Sequence, residues 1–287
     1  MPLRGPVLVG SDLSPASDEA LHQGARLAAD LSSRLFVCHV VPELLPDGSV
    51  FAEFRRANLT VGNSVLAQAR AAVDQQLKTE LGSDTSAIGV VLDSGTPHAG
   101  LLRQAEAIGA GVVVAAPGSV ALEVARHASA AVLIARRSPR GPVIAATDLS
   151  EVSLPALRAA AAEAQRRGSP LHLLHASDVG LFAFGHSSAA AMPYLLSAPT
   201  ITLEGLDTLH ALAKRRLEDT AVEMNRAATT AVIAGPAADV IVEYAESVQA
   251  ELIAVGTHGR SGLARLTLGS TAASVVESAP CSVLIVR

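Results

Sequence analysis

Near the C-terminal end of the chain, a glycine-rich stretch has the residues and the spacing that suit a phosphate group. Gly256 and Gly259 are followed after nine residues by Gly269 and Ser270. An apolar run at 252–255 precedes the first glycine and a helical pattern follows the last, so the stretch connects a strand to a helix. Backbone N–H groups at such a turn bind phosphates in α/β proteins. The spacing therefore predicts a nucleotide site rather than ordinary tight turns.

Each part of this stretch suggests a role. Glycine lacks a β-carbon and adopts positive φ, so we expect the three glycines to let a phosphate or ribose approach the backbone. The nine residues before Gly269 would form a flap over the phosphates. His258 and Arg260 would add positive charge or hydrogen-bond donors there. Ser270 is expected to cap the following helix, residues 271–278, and to offer its hydroxyl to an anion.

The chain contains an internal repeat. Residues 5–14 recur 136 positions later as residues 141–150, and residues 118–136 align without gaps on residues 269–287. An internal repeat of this length indicates two copies of one fold. We therefore expect two tandem domains, 1–137 and 141–287.

Strand and helix patterns alternate within each copy. In the first copy strands are predicted at 6–10, 34–41, 87–92, 112–116 and 131–135, and helices at 18–31, 64–80, 98–108 and 120–127. Alternation predicts an α/β class with two Rossmann-like domains, each a five-stranded mainly parallel sheet with helices on both faces. Ser17 and Ser153 are expected to cap the first helix of each copy. Asp148 and Gly256 each follow a strand and should face the crevice where strand order reverses.

The first copy lacks the flap. The offset between the copies is 140 residues before the turn and 151 after it, so eleven residues are missing between the strand at 112–116 and Gly118. A helix N-terminus contributes at most about 2 kcal/mol toward an anion, whereas micromolar affinity needs about 8 kcal/mol. We therefore expect Ser119 and the helix after it to hold no nucleotide on their own, although Asp12, the counterpart of Asp148, is present.

These motifs resemble those of the universal stress protein family in its tandem form, across both copies. The resemblance implies an adenine nucleotide alpha hydrolase-like fold and ATP as ligand, with or without Mg²⁺ or Mn²⁺, in stress tolerance and growth control. It implies that ribose and phosphates contact Gly256, Gly259, Gly269, Ser270, Thr271 and Ala272, and that adenine and ribose contact Thr147, Asp148 and Ala176. Val255 stands where family members often carry Met beside the base. The last strands would join the two domains as a pseudo-dimer; a homodimer and a protein partner stay open.

Composition excludes several other classes. The net charge is −5, the basic residues are scattered and Trp is absent, so nothing favours a nucleic-acid surface. No apolar run reaches the length of a membrane helix, which is about 18 residues, and the N-terminus lacks the apolar core of a signal peptide, so we expect a cytoplasmic protein. Cys38 and Cys281 are expected to be core thiols rather than a disulfide or a metal site.

Other polar residues have less specific signals. His39 and His175 occupy equivalent strand positions, and we expect each to bond a neighbouring carbonyl rather than a metal or a substrate. Asp148 suits the capping of its turn better than general base chemistry, because no nucleophile accompanies it. The connection at 180–208 stays open as a mobile lid, a domain-domain contact, a partner-binding segment or a part that packs onto its own sheet. Five of the seven aromatic residues fall there or in the matching first-copy connection: Phe51, Phe54, Phe182, Phe184 and Tyr194.

Three classes of function remain. The favoured one is a stress regulator whose C-terminal domain binds ATP. The alternative is a partner-binding scaffold with a vestigial nucleotide site. The third, a nucleotide-cleaving enzyme, would need a loop with paired glycines after the first strand, which neither 10–14 nor 146–150 provides. We therefore expect no enzyme activity beyond slow ATP hydrolysis.

Overall fold

A computed structural model describes residues 3–41, 52–177, 203–257 and 268–287. Contacts within the chain divide it into two units, Leu3–Arg137 and Ser138–Arg287. We call them the N-terminal unit and the C-terminal unit and describe each by itself. Most of the connection at 180–208 lies outside the described residues.

The N-terminal unit is a parallel sheet with strand order β3-β2-β1-β4-β5. Its strands are β1 (Val7–Gly10), β2 (Leu35–Val41), β3 (Gly89–Ser94), β4 (Val112–Ala115) and β5 (Ala131–Ile134). Its helices are α1 (Pro15–Asp30), α2 (Ala52–Leu81), α3 (Pro97–Ile108) and α4 (Ser119–His127). Every predicted element of this copy is present. Helix α2 begins at Ala52, earlier than the predicted residue 64.

The C-terminal unit repeats this arrangement, with strand order β8-β7-β6-β9-β10 and parallel pairing. Its strands are β6 (Val143–Ala146), β7 (Leu171–Ser177), β8 (Thr229–Ala234), β9 (Leu252–Gly256) and β10 (Ser282–Val286). Its helices are α5 (Leu154–Arg167), α6 (Leu203–Glu223), α7 (Ala237–Ser247) and α8 (Ser270–Ser278), and a 3₁₀ turn at Glu151–Ser153 precedes α5. The expected fold class, two Rossmann-like α/β units, is confirmed.

The central strands form the core of each unit. Val7, Leu8 and Val9 of β1 are fully buried, as are Val143 and Ile144 of β6. Uninterrupted apolar strands of this kind are typical of parallel sheets that are covered on both faces. Both cysteines are buried and neither forms a disulfide, as expected, and burial raises the pKa of the Cys38 thiol to about 12.

The first helix of each unit begins differently from the prediction. The N-cap of α1 is Ser14, and the predicted cap, Ser17, donates its hydroxyl to the Ser14 carbonyl at 2.8 Å. Ser153 precedes α5, but its hydroxyl donates to the Ser150 carbonyl at 2.7 Å and accepts no backbone N–H. The prediction for Ser17 was wrong because α1 begins three residues earlier, where Pro15 fits its first turn. Ser153 lies at the N-cap position of α5 as predicted, but its side chain does not cap the helix.

Within the part of the chain that the structure describes, no helix has the length and apolar character needed to cross a membrane.

Candidate functional site

The strand order of the C-terminal unit creates a crevice at the carboxyl ends of its central strands. Strand β6 pairs with β7 on one side and with β9 on the other. The chain leaves β6 toward β7 and later returns to β9, so strand order reverses between β6 and β9. Ligands of open α/β sheets bind at such a switch point, beyond the carboxyl ends of the strands. Thr147 and Asp148 directly follow β6, and Gly256 ends β9, as the sequence predicted.

The turn after β6 is held by hydrogen bonds from its own polar side chains. Asp148 Oδ1 accepts the Ser150 N–H at 3.1 Å and the Ser150 hydroxyl at 2.6 Å, and Thr147 Oγ1 accepts the Leu149 N–H at 2.9 Å. Leu149 has φ of 66°, a left-handed conformation that costs an ordinary residue about 1 to 2 kcal/mol. Such strain persists only where the surroundings fix the backbone. The expected capping role of Asp148 is confirmed.

Each unit has a strand histidine that bonds the turn after its first strand. His175 of β7 donates from Nδ1 to the Thr147 carbonyl at 2.9 Å, and His39 of β2 donates to the Ser11 carbonyl at 2.8 Å. The expectation that these histidines bond a carbonyl is confirmed. Among the described residues, no group of three His, Cys, Asp or Glu side chains is arranged to hold a metal ion. Ala176, the residue after His175, is half-buried in β7.

Thr257 joins the two ends of the glycine-rich stretch. Its N–H donates to the Val286 carbonyl at 3.1 Å, and its own carbonyl accepts the Gly269 N–H at 2.9 Å. Thr257 is 2% exposed, so these bonds are shielded from water. They bring residue 257 next to residue 269 and so hold together the ends of the segment 258–268. The predicted site residues Gly259 and Arg260, with His258, lie outside the described residues.

Helix α8 begins with backbone donors that have no acceptor among the described residues. Its N-cap, Gly269, has no side-chain capping bond, and the first N–H to bond within the helix is that of Ala273, which donates to Gly269 at 2.9 Å. The N–H groups of Ser270, Thr271 and Ala272 precede it and have no intrahelical partner. Three adjacent N–H groups at the positive end of a helix suit a phosphate.

Gly256, Gly269 and Ser270 act differently from the prediction. Gly269 has φ of −61° and Gly256 lies within β9, so neither uses positive φ. A β-carbon at Gly269 would lie 3.2 Å from the Thr257 carbonyl oxygen. Glycine, which has no β-carbon, therefore allows the two backbone segments to pack closely here. Ser270 is the first residue of α8 and not its cap. Val255 is 4% exposed and lies in the core one residue before the end of β9.

The corresponding turn of the N-terminal unit is shorter by eleven residues, as predicted. The sheet pairs Val112 with Ala131, 19 residues apart, whereas it pairs Leu252 with Ser282, 30 residues apart. Helices α4 and α8 both have nine residues, so the difference lies before the helix. Gly118 closes the short turn with φ of 146°, a conformation that other residues rarely adopt.

A second difference between the units escaped the sequence prediction. In the N-terminal unit, Gln76 of α2 accepts the Ser11 hydroxyl at 2.7 Å and donates to Asp18 Oδ1 at 2.7 Å, which closes the space between α1 and α2. In the C-terminal unit, α6 places Arg216 at the matching position, and a hollow lined by Arg216, Thr147 and other residues stays open. Aligning the two long helices on their buried leucines, at positions 77 and 217, would have revealed the change.

Comparison with known proteins gives the following matches. The model of the universal stress protein family matches residues 4–117 and 139–287. A universal stress protein of Mycobacterium bovis is 30% identical over 315 residues, which cover 98% of this chain and 94% of that protein. The first matched region ends where the short turn begins, whereas the second includes the long turn and α8.

Two solved structures have the same fold over nearly the whole chain. A universal stress protein from Archaeoglobus fulgidus has a TM-score of 0.61 at 18% identity and covers 98% of this chain and 96% of its own. A putative universal stress protein from Pseudomonas aeruginosa has a TM-score of 0.65 at 17% identity and covers 99% of this chain and 93% of its own. This chain therefore shares its fold of two tandem α/β units with two solved structures over nearly the whole of each chain.

Proposed function

Because the chain belongs to the universal stress protein family, we propose that its C-terminal unit binds ATP and that the N-terminal unit does not. In this proposal the protein responds to adenine nucleotide as a regulator in stress response. The observation that carries the proposal is the difference between the two strand-to-helix turns. One unit has a long turn that ends at open backbone donors, and the other has lost eleven residues there.

The triphosphate would lie at the start of α8. The N–H groups of Ser270, Thr271 and Ala272 point out of the helix N-terminus, and the helix dipole favours a negative charge there. The segment 258–268, held at its ends by Thr257, carries one histidine and two arginines that would balance the charge of the phosphates. These donors and cations fit a triphosphate, with or without Mg²⁺ or Mn²⁺, which would bind through the phosphate oxygens.

Adenine and ribose would lie across the crevice from the phosphates. The hydrogen-bonded turn at Thr147 and Asp148 follows β6, and the small side chain of Ala176 lies next to the last residue of the neighbouring strand β7. The end of β9 at Gly256 would form the other wall. A carboxylate beside a sugar accepts hydrogen bonds from its hydroxyl groups, which suits Asp148.

We further propose binding without efficient catalysis, in the cytoplasm. Asp148 Oδ1 accepts two hydrogen bonds from Ser150 that hold its own turn, which supports a structural role for this carboxylate. Two buried cysteines that form no disulfide are typical of a reducing compartment. The alternative is a partner-binding scaffold, which is favoured by exposed apolar side chains such as Leu212 and Val222, 59% and 79% exposed.

Calorimetric titration of the purified full chain with ATP separates these proposals. We expect saturable binding with a Kd at or below about 100 μM, equivalent to at least about 5 kcal/mol, and adenine nucleotide released when the purified protein is denatured. GTP serves as the control for adenine recognition. Absence of binding at millimolar ATP, with no nucleotide released, would contradict the regulator and favour the scaffold.

A Gly259→Val variant tests whether the glycine-rich stretch is the site. A branched side chain there should block the approach of the phosphates and weaken ATP binding. Unchanged affinity would place the nucleotide elsewhere.

A further inference from the structure

We propose that His175 is a positioning residue for the nucleotide: its imidazole orients the turn that carries Asp148 and thereby strengthens ATP binding by the C-terminal unit. This inference rests on the proposed function. It adds a buried residue of β7 to a site whose other members lie at or just after the strand ends or begin α8.

The imidazole continues the pairing of β6 with β7 beyond the last residue of β6. The Thr147 N–H donates to the Leu174 carbonyl at 2.9 Å, and the Thr147 carbonyl accepts His175 Nδ1 at 2.9 Å. Because a carbonyl only accepts, Nδ1 carries the proton. The Thr147 carbonyl belongs to the same planar peptide group as the Asp148 N–H. The bond from His175 therefore sets the orientation of the peptide that leads into Asp148.

The rest of the turn depends on this starting orientation. Asp148 holds Ser150 through Oδ1, and Leu149 between them is strained at φ of 66°. A strained residue keeps its conformation only where bonds on both sides fix the chain. His175 supplies such a bond from outside the turn, and it is 9% exposed, so water competes little for it. Since Ala176 directly follows His175, one side chain ties together the two strand ends that would hold adenine and ribose.

The N-terminal unit has the same arrangement without the long turn. His39 donates to the Ser11 carbonyl at 2.8 Å, Asp12 Oδ1 accepts the Ser14 N–H at 3.0 Å, and Leu13 has φ of 64°. His39 therefore has the same local role in a unit that is proposed to bind no nucleotide. This makes it a matched control for His175.

The test measures ATP affinity of the full chain by calorimetry for the wild type and three variants. His175→Phe keeps a ring but removes the donor, and His175→Asn keeps a side-chain N–H near the position of Nδ1. We expect His175→Phe to weaken ATP binding about tenfold, the effect of one buried hydrogen bond. His175→Asn should stay within about threefold of the wild type. His39→Phe should lower the melting temperature without changing ATP affinity.

Two outcomes overturn the inference while the proposed function stands. One is a folded His175→Phe protein that binds ATP as tightly as the wild type. The other is an equal loss of affinity in His39→Phe, which would indicate a general effect of stability. A wild type that binds no ATP overturns the proposed function and the inference together.

Amide hydrogen exchange gives a second readout that does not depend on the Phe variant folding. We expect His175→Asn to retain the protection of the Leu149 and Ser150 amides, and His175→Gln, whose amide lies one carbon further out, to lose it. Equal protection of these amides in both variants would overturn the inference.

Discussion

The turns before α4 and α8 connect equivalent elements through very different lengths of chain. Strand β4 ends at Ala115 and α4 begins at Ser119, whereas β9 ends at Gly256 and α8 begins at Ser270. Strand order and parallel pairing are the same on both sides of each turn. The eleven additional residues are therefore not needed to build the sheet or to start the helix. The long turn can therefore vary without changing the sheet, which leaves it available for the proposed ligand.

The turns after β1 and β6 differ much less. In both, an Asp accepts bonds from a Ser two residues later, and a leucine between them has φ near 65°: 64° at Leu13 and 66° at Leu149. This turn persists in the unit that lacks the long segment, so its shape is a property of the fold. A nucleotide that uses Asp148 would thus use a turn that the fold already provides.

Removing residues 258–268 should have the largest effect. The deletion gives the C-terminal unit the short connection of the N-terminal unit, and glycine at position 269 can adopt the positive φ that Gly118 shows. We expect ATP affinity to fall about a hundredfold or more, because a helix N-terminus alone contributes only about 1 to 2 kcal/mol.

Calorimetry with ATP, alongside a thermal melt of the same protein, measures both consequences of this deletion. A folded deletion variant that retains ATP affinity would show that the long segment is not part of the site.

Two matched glycine substitutions should differ in what they change: one should mainly lower stability, and the other should mainly weaken ATP binding. Gly118→Ala should cost about 1 to 3 kcal/mol of stability, because φ is 146° there although no atom crowds the new β-carbon. Gly269→Ala has an ordinary φ of −61°, but its β-carbon would push on the Thr257 carbonyl 3.2 Å away. It should cost less stability and weaken ATP binding about tenfold.

Urea unfolding and ATP titration of both variants check this pair. Loss of ATP affinity in Gly118→Ala would mean that the N-terminal unit contributes to binding. Unchanged affinity in Gly269→Ala would mean that closure at Thr257 does not matter to the ligand.

The difference in turn length could be predicted from the sequence, but the geometry of the turns could not. Two alignment offsets determine that eleven residues are missing, and the sheet register agrees. The use of positive φ at Gly118 and not at Gly269 depends on how the strand and the helix lie in three dimensions. The sequence also did not predict the backbone strain at Leu149, because leucine gives no sequence signal for a left-handed conformation.

Contacts between distant elements could be predicted from the sequence only in part. The prediction of carbonyl partners for His39 and His175 was right, because an imidazole that is at least partly buried at a strand end needs a hydrogen-bond partner. The exchange of Gln76 for Arg216 passed unnoticed, since it matters only where the long helix packs against the first helix of its unit.

Lowering the pH should destabilise the N-terminal unit more than the C-terminal unit, and this effect should be smaller than those of the deletion and the glycine substitutions. Burial raises the pKa of Asp93, but hydrogen bonds from Arg103 and Gln104 outweigh it, and the pKa lies below its ordinary value. The carboxylate therefore stabilises the N-terminal unit above about pH 4, the pKa of an unfolded Asp, and this contribution is lost as pH falls through the lower folded value. Asp93→Asn should make the stability of this unit depend less on pH.

Hydrogen exchange of peptides from each unit, measured at pH 6 and pH 3, reports the change. Peptides of the C-terminal unit are the internal control, because Ile233 stands where the N-terminal unit has Asp93. A wild-type N-terminal unit that loses no stability between these pH values, or an equal change in both units, would contradict the role given to Asp93.

The number of ATP molecules bound per full-length chain tests the difference between the units most directly. Calorimetry or equilibrium dialysis at saturating ATP should give one nucleotide per chain, and the deletion of residues 258–268 should reduce it to none. Two nucleotides per chain, or one that survives the deletion, would contradict the proposal that the long turn before α8 makes the C-terminal unit the binding unit.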